Sequence, residues 1–184
     1  MGKPCVVLGV TGSIAAYKAG DIIRRLHDEH CDVVVVMTPA AEKFVTPLTF
    51  EVLSRGPVYR DMFAREGNWD IAHVALAQRA DIFLIAPATA DCLAKVVAGI
   101  ADDLVCCTAV ATKAPVVIAP AMNTDMFTSA VVQENIARLT ARGIKFVAPK
   151  ENSRLACGVT GQGALADVDV IVRTVVDLLK SVAR

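Results

Sequence analysis

A doubly wound α/β domain, with helices covering both faces of a parallel sheet, is the fold class that three observations in this sequence predict. Short continuous apolar runs recur along the chain: "CVVLGV" at 5–10, "DVVVVMT" at 32–38, "DIFLIAPA" at 81–88, "PVVIAPAM" at 115–122 and "IKFVAP" at 144–149. Segments with apolar residues at helical spacing separate these runs. Each run ends in small residues, where a strand hands over to a helix. Strands that are apolar on both faces and alternate with helices are buried on both sides, which is the pattern of a parallel sheet.

The elements follow in order. The run at 5–10 leads into "SIAAYKAGDIIRRLHDE" (13–29), whose apolar positions predict a helix, and the run at 32–38 follows as a second buried strand. The stretch 38–70 holds three prolines and two glycines and is expected to form short helices and a loop. The strand at 81–88 precedes "ADCLAKVVAGIADDLVCCTAVAT" (90–112), helix-like throughout. After the runs at 115–122 and 144–149, the amphipathic "DVDVIVRTVVDLLKSVA" (167–183) predicts a closing helix. No composition break, charge block or low-complexity linker divides the chain, so one domain over 1–184 is expected, and 54% apolar content supplies its core.

Lysine plus arginine and aspartate plus glutamate both total 19, so no net field favours nucleic acid or an anionic membrane surface. The amino end "MGKPCVVLGV" has one lysine and too short an apolar run for a signal peptide, and no stretch reaches the ~20 apolar residues of a membrane helix. A cytoplasmic location is expected. Of the six cysteines, Cys5, Cys31, Cys92, Cys106 and Cys107 fall in strand-like or helix-like patterns and read as reduced, core-filling thiols. Cys106 and Cys107 point about 100 degrees apart on a helix, a poor metal pair, and no metal site is expected.

Ligands of doubly wound sheets bind at the carboxyl ends of the strands. That rule selects "GVTGSIAA", "MTPAA", "APATAD" and "APAMN", which together describe one crevice. Gly9 and Gly12 occupy the first turn, with Ser13 at a helix N-cap, and exposed amides there suit a phosphate. The spacing is not the dinucleotide G-x-G-x-x-G, and the second strand ends in Thr38 rather than the acid that holds an adenosine ribose, so a mononucleotide fits better than NAD. Thr89, Asp91 and Asn123 carry two readings that spacing leaves open, ordinary helix caps or contacts to a flat heterocycle. Cys157 stands apart from the other thiols, in the glycine-rich "LACGVTGQGALAD" (155–167) beside Gly158, Gly161 and Gly163.

The blocks "VTGSIAAYK", "FVTPLTFEVLSRGPV", the histidine at 73, "APATADCLAKVVAGIADDLV", "PAMNTDM" and "LACG" occur in order between about residues 5 and 167, and in them the chain resembles the homo-oligomeric, flavin-containing cysteine decarboxylases. The resemblance implies a flavodoxin- or Rossmann-like single domain that binds FMN. Gly12, Ser13, Ile14 and Thr38 would hold phosphate and ribityl, and Ala88, Thr89, Ala90, Asp91 and Ala121 would line the flavin. Asn123 would hold the substrate carboxylate, with Met122 beside it in the substrate site. His73 would be the base of the oxidative half, although a lone histidine at a helix start reads by itself as an ordinary surface or core residue, as His27 and His30 do.

The implied reaction is decarboxylation of 4'-phosphopantothenoylcysteine to 4'-phosphopantetheine, in coenzyme A biosynthesis. A saturated product needs a proton delivered to carbon, and a thiol on a glycine-rich lid suits that task, which makes Cys157 the implied acid. Relatives that modify peptide carboxyl-terminal cysteines stop at the enethiol, and flavin-binding regulatory subunits form a further class; both stand as alternatives. The flavin prenyltransferases share the fold and lack the PAMN and LACG blocks. In the resemblance flavin sits at a subunit boundary, so a homotrimer or a multiple of trimers is expected. The chain ends too early to hold a fused synthetase, and so resembles the single-domain form. Many members read ACGD where this chain has Val159 after the glycine, with no arginine in the lid.

Overall fold

The computed structural model describes residues 2–63, 71–151, 153–154, 158 and 160–182. Six strands form one sheet: β1 (Cys5–Val10), β2 (Asp32–Met37), β3 (Val58–Tyr59), β4 (Ile82–Ala88), β5 (Val116–Pro120) and β6 (Lys145–Phe146). Their order is β3-β2-β1-β4-β5-β6 and every pairing is parallel. At the centre, Val6 to Gly9 of β1 lie opposite Ile82 to Ile85 of β4. The order reverses between these two strands, so the crossovers on either side go to opposite faces and a crevice opens above them.

The helices are α1 (Ala19–Asp28), α2 (Pro47–Ser54), α3 (Ala72–Arg79), α4 (Ala90–Ala98), α5 (Leu104–Ala111), α6 (Thr124–Thr128), α7 (Ala130–Ala141) and α8 (Val168–Val182). Alternate side chains of each strand enter two separate cores. Val6, Leu8 and Val10 pack with Ile22, Ile23 and Leu26 of α1, Phe50 of α2 and Ile171 and Val175 of α8. Cys5, Val7 and Val34 pack on the other face with Leu76 of α3, Leu93 of α4, Val105 of α5 and Leu139 of α7. Gly9 faces that second core, where a Cβ would stand 3.0 Å from Val105 Cγ1 and 3.3 Å from Phe83 Cζ. A side chain there would press on Val105 of α5 and on Phe83.

Five details depart from the sequence expectation. The helix expected from Ser13 opens with a 3-10 turn, Ile14–Lys18, before α1. The helix-like stretch 90–112 is two helices: Gly99, at φ 73°, ends α4 in the left-handed region, and Asp103 caps α5 through the Cys106 amide. The expected strand at 144–149 pairs only over Lys145–Phe146, because it lies at the sheet edge with β5 as its one neighbour. Strand β3, two residues long behind Pro57, carries no periodic signal. A hairpin, β7 (Ser153–Arg154) with β8 (Thr160–Gly161), brackets the glycine-rich stretch, and a Lys150–Ala164 bridge continues it. Cys5, Cys31, Cys92 and Cys106 are buried free thiols, with Cys31 in the turn before β2 and Cys107 half-buried. Among the described residues, no helix is long and apolar enough to cross a membrane.

Candidate functional site at the carboxyl edge of the sheet

The four loops at the carboxyl ends of β1, β2, β4 and β5 meet as the strand rule requires, and hydrogen bonds join them. Thr11, 1% exposed, is the clasp. Its hydroxyl donates to the Pro87 carbonyl (2.7 Å) and accepts from the Thr89 amide (3.0 Å), so the ends of β1 and β4 are held together across 76 residues of sequence. The Ala121 amide bonds the Ala88 carbonyl (2.9 Å) and ties in β5. The Thr38 amide bonds the Val10 carbonyl (3.0 Å) and ties in β2. Gly12 sits where a Cβ would come within 2.5 Å of Ala40 Cβ, so only glycine allows the first and second loops to approach this closely.

Four of the residues singled out in the sequence, Ser13, Thr38, Thr89 and Asn123, lie along this edge and accept from backbone amides of the turn that follows. Ser13 accepts from the Ala15 amide (3.3 Å), Thr38 from Ala41 (3.2 Å) and Thr89 from Cys92 (3.3 Å). Asn123 accepts from Asp125 (2.8 Å) and Met126 (3.4 Å). The cap reading is therefore realised at Ser13, Thr89 and Asn123. It is compatible with ligand binding at Ser13 and Thr89, because a capping hydroxyl oxygen keeps its hydrogen as a donor. Ala88 and Ala121 are buried and form the floor. Ser13, Thr89, Ala90, Met122 and Asn123 are half-buried, and Ile14, at 55%, stands out from the wall. Asp91 is paired with Lys95 at 3.2 Å.

His73 belongs to the first turn of α3, which runs back to the amino end of β4, so its first turn is at the carboxyl edge. Its Nδ1 is buried and has no hydrogen-bond partner among the described residues. His27 bonds the Cys31 carbonyl through Nδ1 (3.0 Å) at the far end of α1, and His30 is exposed, as expected. Cys157 lies outside the described residues. The hairpin on either side of it docks on the PAMN loop: the Met122 amide bonds the Gly163 carbonyl (2.9 Å), and a Cβ at Gly163 would fall 2.5 Å from the Met122 carbonyl. Gly161 similarly has no room for a side chain against the hydroxyl of Thr124, an oxygen that is buried and without a partner among the described residues.

Three residues of this edge escaped the sequence reading. Thr11 carries no signal beyond its place between a strand and Gly12. Thr124 hides behind Asn123. Lys95 was detectable as the i+4 partner of Asp91.

A protein-family model described as Flavoprotein matches residues 1–180. The chain belongs to the flavoprotein family. This flavoprotein is 46% identical over 176 residues, 95% of its length, to a "Probable phosphopantothenoylcysteine decarboxylase" of Streptococcus mutans, 98% of which is covered. Among solved structures it is similar to the FMN-dependent cysteine decarboxylase SpaF, with a TM-score of 0.86 and 32% identity over 98% of each chain. It is likewise similar to a PPC decarboxylase cysteine-to-serine mutant complexed with pantothenoylaminoethenethiol, with a TM-score of 0.80 and 31% identity, covering 94% of this flavoprotein and 96% of that chain. Longer relatives also match: a coenzyme A biosynthesis bifunctional protein of Vibrio vulnificus is 42% identical over 162 residues, and this flavoprotein spans 40% of it.

Proposed function

We propose that this flavoprotein is an FMN-dependent carboxy-lyase that converts 4'-phosphopantothenoylcysteine to 4'-phosphopantetheine in coenzyme A biosynthesis. The carrying observation is the docking of the 150–164 hairpin on the PAMN loop, at the same sheet edge as Gly12, Ser13 and Thr38. One edge then presents a place for a phosphate-bearing cofactor, an amide-bearing side chain for substrate and the strand pair that carries a thiol. The identity to the Streptococcus mutans protein over nearly its whole length supports the choice of substrate.

The residues present fit a flavin mononucleotide. Gly12 leaves the first turn bare of a side chain, the hydroxyls of Ser13 and Thr38 can donate to phosphate or ribityl, and Ala88 and Ala121 give a flat, small-residue floor. Ile14 and the Thr89–Asp91 segment complete the cofactor wall. Bound FMN supplies a reversible two-electron acceptor, which allows the cysteinyl CH2–SH carbon to be oxidised before carbon dioxide leaves. Asn123, fixed by its cap to α6, holds the substrate carboxylate in register, with Met122 beside it. His73 takes the proton released in the oxidative half, and its buried Nδ1 is an atom placed to be satisfied by a ligand. Cys157 would give its thiol proton to the enethiol carbon, and the two electrons taken up by bound FMN in the oxidative half would return with a hydrogen to the other carbon, so that proton and hydride together give the saturated product.

One cytoplasmic domain over 1–184 carries these roles, assembled as a homotrimer or a multiple of trimers, which light scattering at micromolar concentration reads as a mass divisible by three. The deciding experiment is product mass after incubating the purified, FMN-loaded protein with 4'-phosphopantothenoylcysteine. A product lighter than substrate by one carbon dioxide is expected. A product lighter by a further two hydrogens would show that the reaction stops at the enethiol, as expected of the alternative class, and unconverted substrate would overturn the reading.

A further inference from the structure

Lys95, which the proposed reaction does not use, reaches three carboxylates at once: Asp91 and Asp102 at 3.2 Å and Asp103 at 3.6 Å. Each leads to the site by a different route. Asp91 stands in the first turn of α4, whose cap residue Thr89 is bonded to Thr11. Asp103 caps α5 through the Cys106 amide (2.8 Å), and α5 packs on Gly9 through Val105. Asp102 and Asp103 also line a 420 Å³ cavity with Pro39, the residue after Thr38. Glu42 and Asp61 line it too, and Arg60 is committed to Glu42 at 3.2 Å.

This end of the sheet is therefore rich in fixed negative charge next to loops assigned to a phosphate-bearing cofactor. The Lys95 and Asp103 side chains are 23% and 13% exposed, so this pair is partly shielded from solvent, whereas Asp91 and Asp102, at 72% and 56%, face it. Burial works against the ammonium, but the hydrogen bonds to Asp102 and Asp91 and the charge of Asp103 outweigh it and raise the Lys95 pKa, so the cation persists throughout the working range of pH.

We infer that Lys95 is a positioning residue of the flavin site, whose ammonium offsets one of the three negative charges of the Asp91–Asp102–Asp103 cluster and so lets the edge accept an anionic cofactor. This inference rests on the flavin assignment above. It requires the contribution to be charge neutralisation and not packing alone, which separates two sets of variants.

The test is titration of FMN into apo-protein, followed by flavin fluorescence at about 0.05 M and about 0.5 M salt, where screening lengths differ severalfold. K95M is expected to weaken FMN binding by about tenfold or more at low salt, and K95R by less than about threefold, since it keeps the charge. The triple variant K95M/D102N/D103N should recover most of the loss, because asparagine at 103 still caps α5 while two of the three repelling charges are gone and only Asp91 remains. D102N/D103N with Lys95 intact should bind FMN a few-fold tighter than the parent at low salt, a measurement independent of how well K95M folds. Parent-like FMN affinity in K95M, or a triple variant no better than K95M, would overturn the role of Lys95 alone. A parent protein that binds no FMN would overturn the flavin assignment as well.

Discussion

Several side chains at the carboxyl edge cap the fold with one atom and leave another atom of the same group available to a ligand. Ser13, Thr38 and Thr89 each give an acceptor oxygen to an amide in the next turn and keep a hydroxyl hydrogen for a neighbour. Replacing them would disturb fold and ligand together, so the informative substitutions are at His73 and Cys157. H73N should leave FMN titration near the parent value while slowing anaerobic flavin bleaching by substrate by about 100-fold or more, the usual scale for removing a proton-transfer group. Unchanged bleaching in the stopped flow would remove His73 from the oxidative half. C157S should still oxidise and decarboxylate, because neither step needs the thiol, whereas a serine hydroxyl is a far weaker acid than a thiol of pKa about 8.5. Mass spectrometry should show a product two hydrogens lighter than phosphopantetheine, with the flavin left reduced after one turnover. A saturated product from C157S would make that thiol a packing residue.

Between elements, the deciding contact is the Thr11 clasp. T11V keeps the shape of the side chain but leaves the Thr89 amide and the Pro87 carbonyl without the hydroxyl that joins them. A loss of about 1–3 kcal/mol in urea unfolding is expected, together with weaker FMN binding, since both loops lose their mutual register. Stability within a few tenths of the parent would show that water replaces the hydroxyl. This contact also marks the limit of legibility. Strands β1, β2, β4 and β5 were readable because burial on both faces leaves an unbroken apolar run, and α1 and α8 because one face alone is buried. Strand β3 and the β7–β8 hairpin were not, since two-residue pairings depend on tertiary neighbours and leave no period. The division of 90–112 at Gly99 was visible in principle, because a glycine followed four residues later by a capping aspartate is a stop and a start. The four site loops were legible from the strand-end rule; the threonine that joins two of them was not, because its partners lie 76 and 78 residues away.

Across the whole molecule, two apolar cores separated by the sheet keep several thiols out of water, which predicts a loss of stability on the alkaline side. Burial pushes the Cys5 and Cys31 thiols up, and Cys106 is pushed up by its contact with the Cys92 thiol and then by burial. A raised folded pKa means that the folded state keeps a proton the unfolded chain releases, so stability is full below about pH 8.5 and declines as pH rises beyond it. Urea unfolding should give a level free energy from about pH 7 to 8 and a falling one from about pH 9 to 10, by up to ~1.4 kcal/mol per pH unit for each thiol involved. A level profile up to pH 10 would mean that these thiols ionise freely in the native protein. The reversal of strand order between β1 and β4 has a kinetic consequence. That central pairing joins segments more than 70 residues apart in a wholly parallel sheet, a long-range closure that comes slowly because much chain entropy is lost before any contact rewards it. The cofactor crevice does not exist until this closure is complete. During refolding, helical circular dichroism should therefore return first and flavin quenching last, making the cofactor a clock for the final step of assembly.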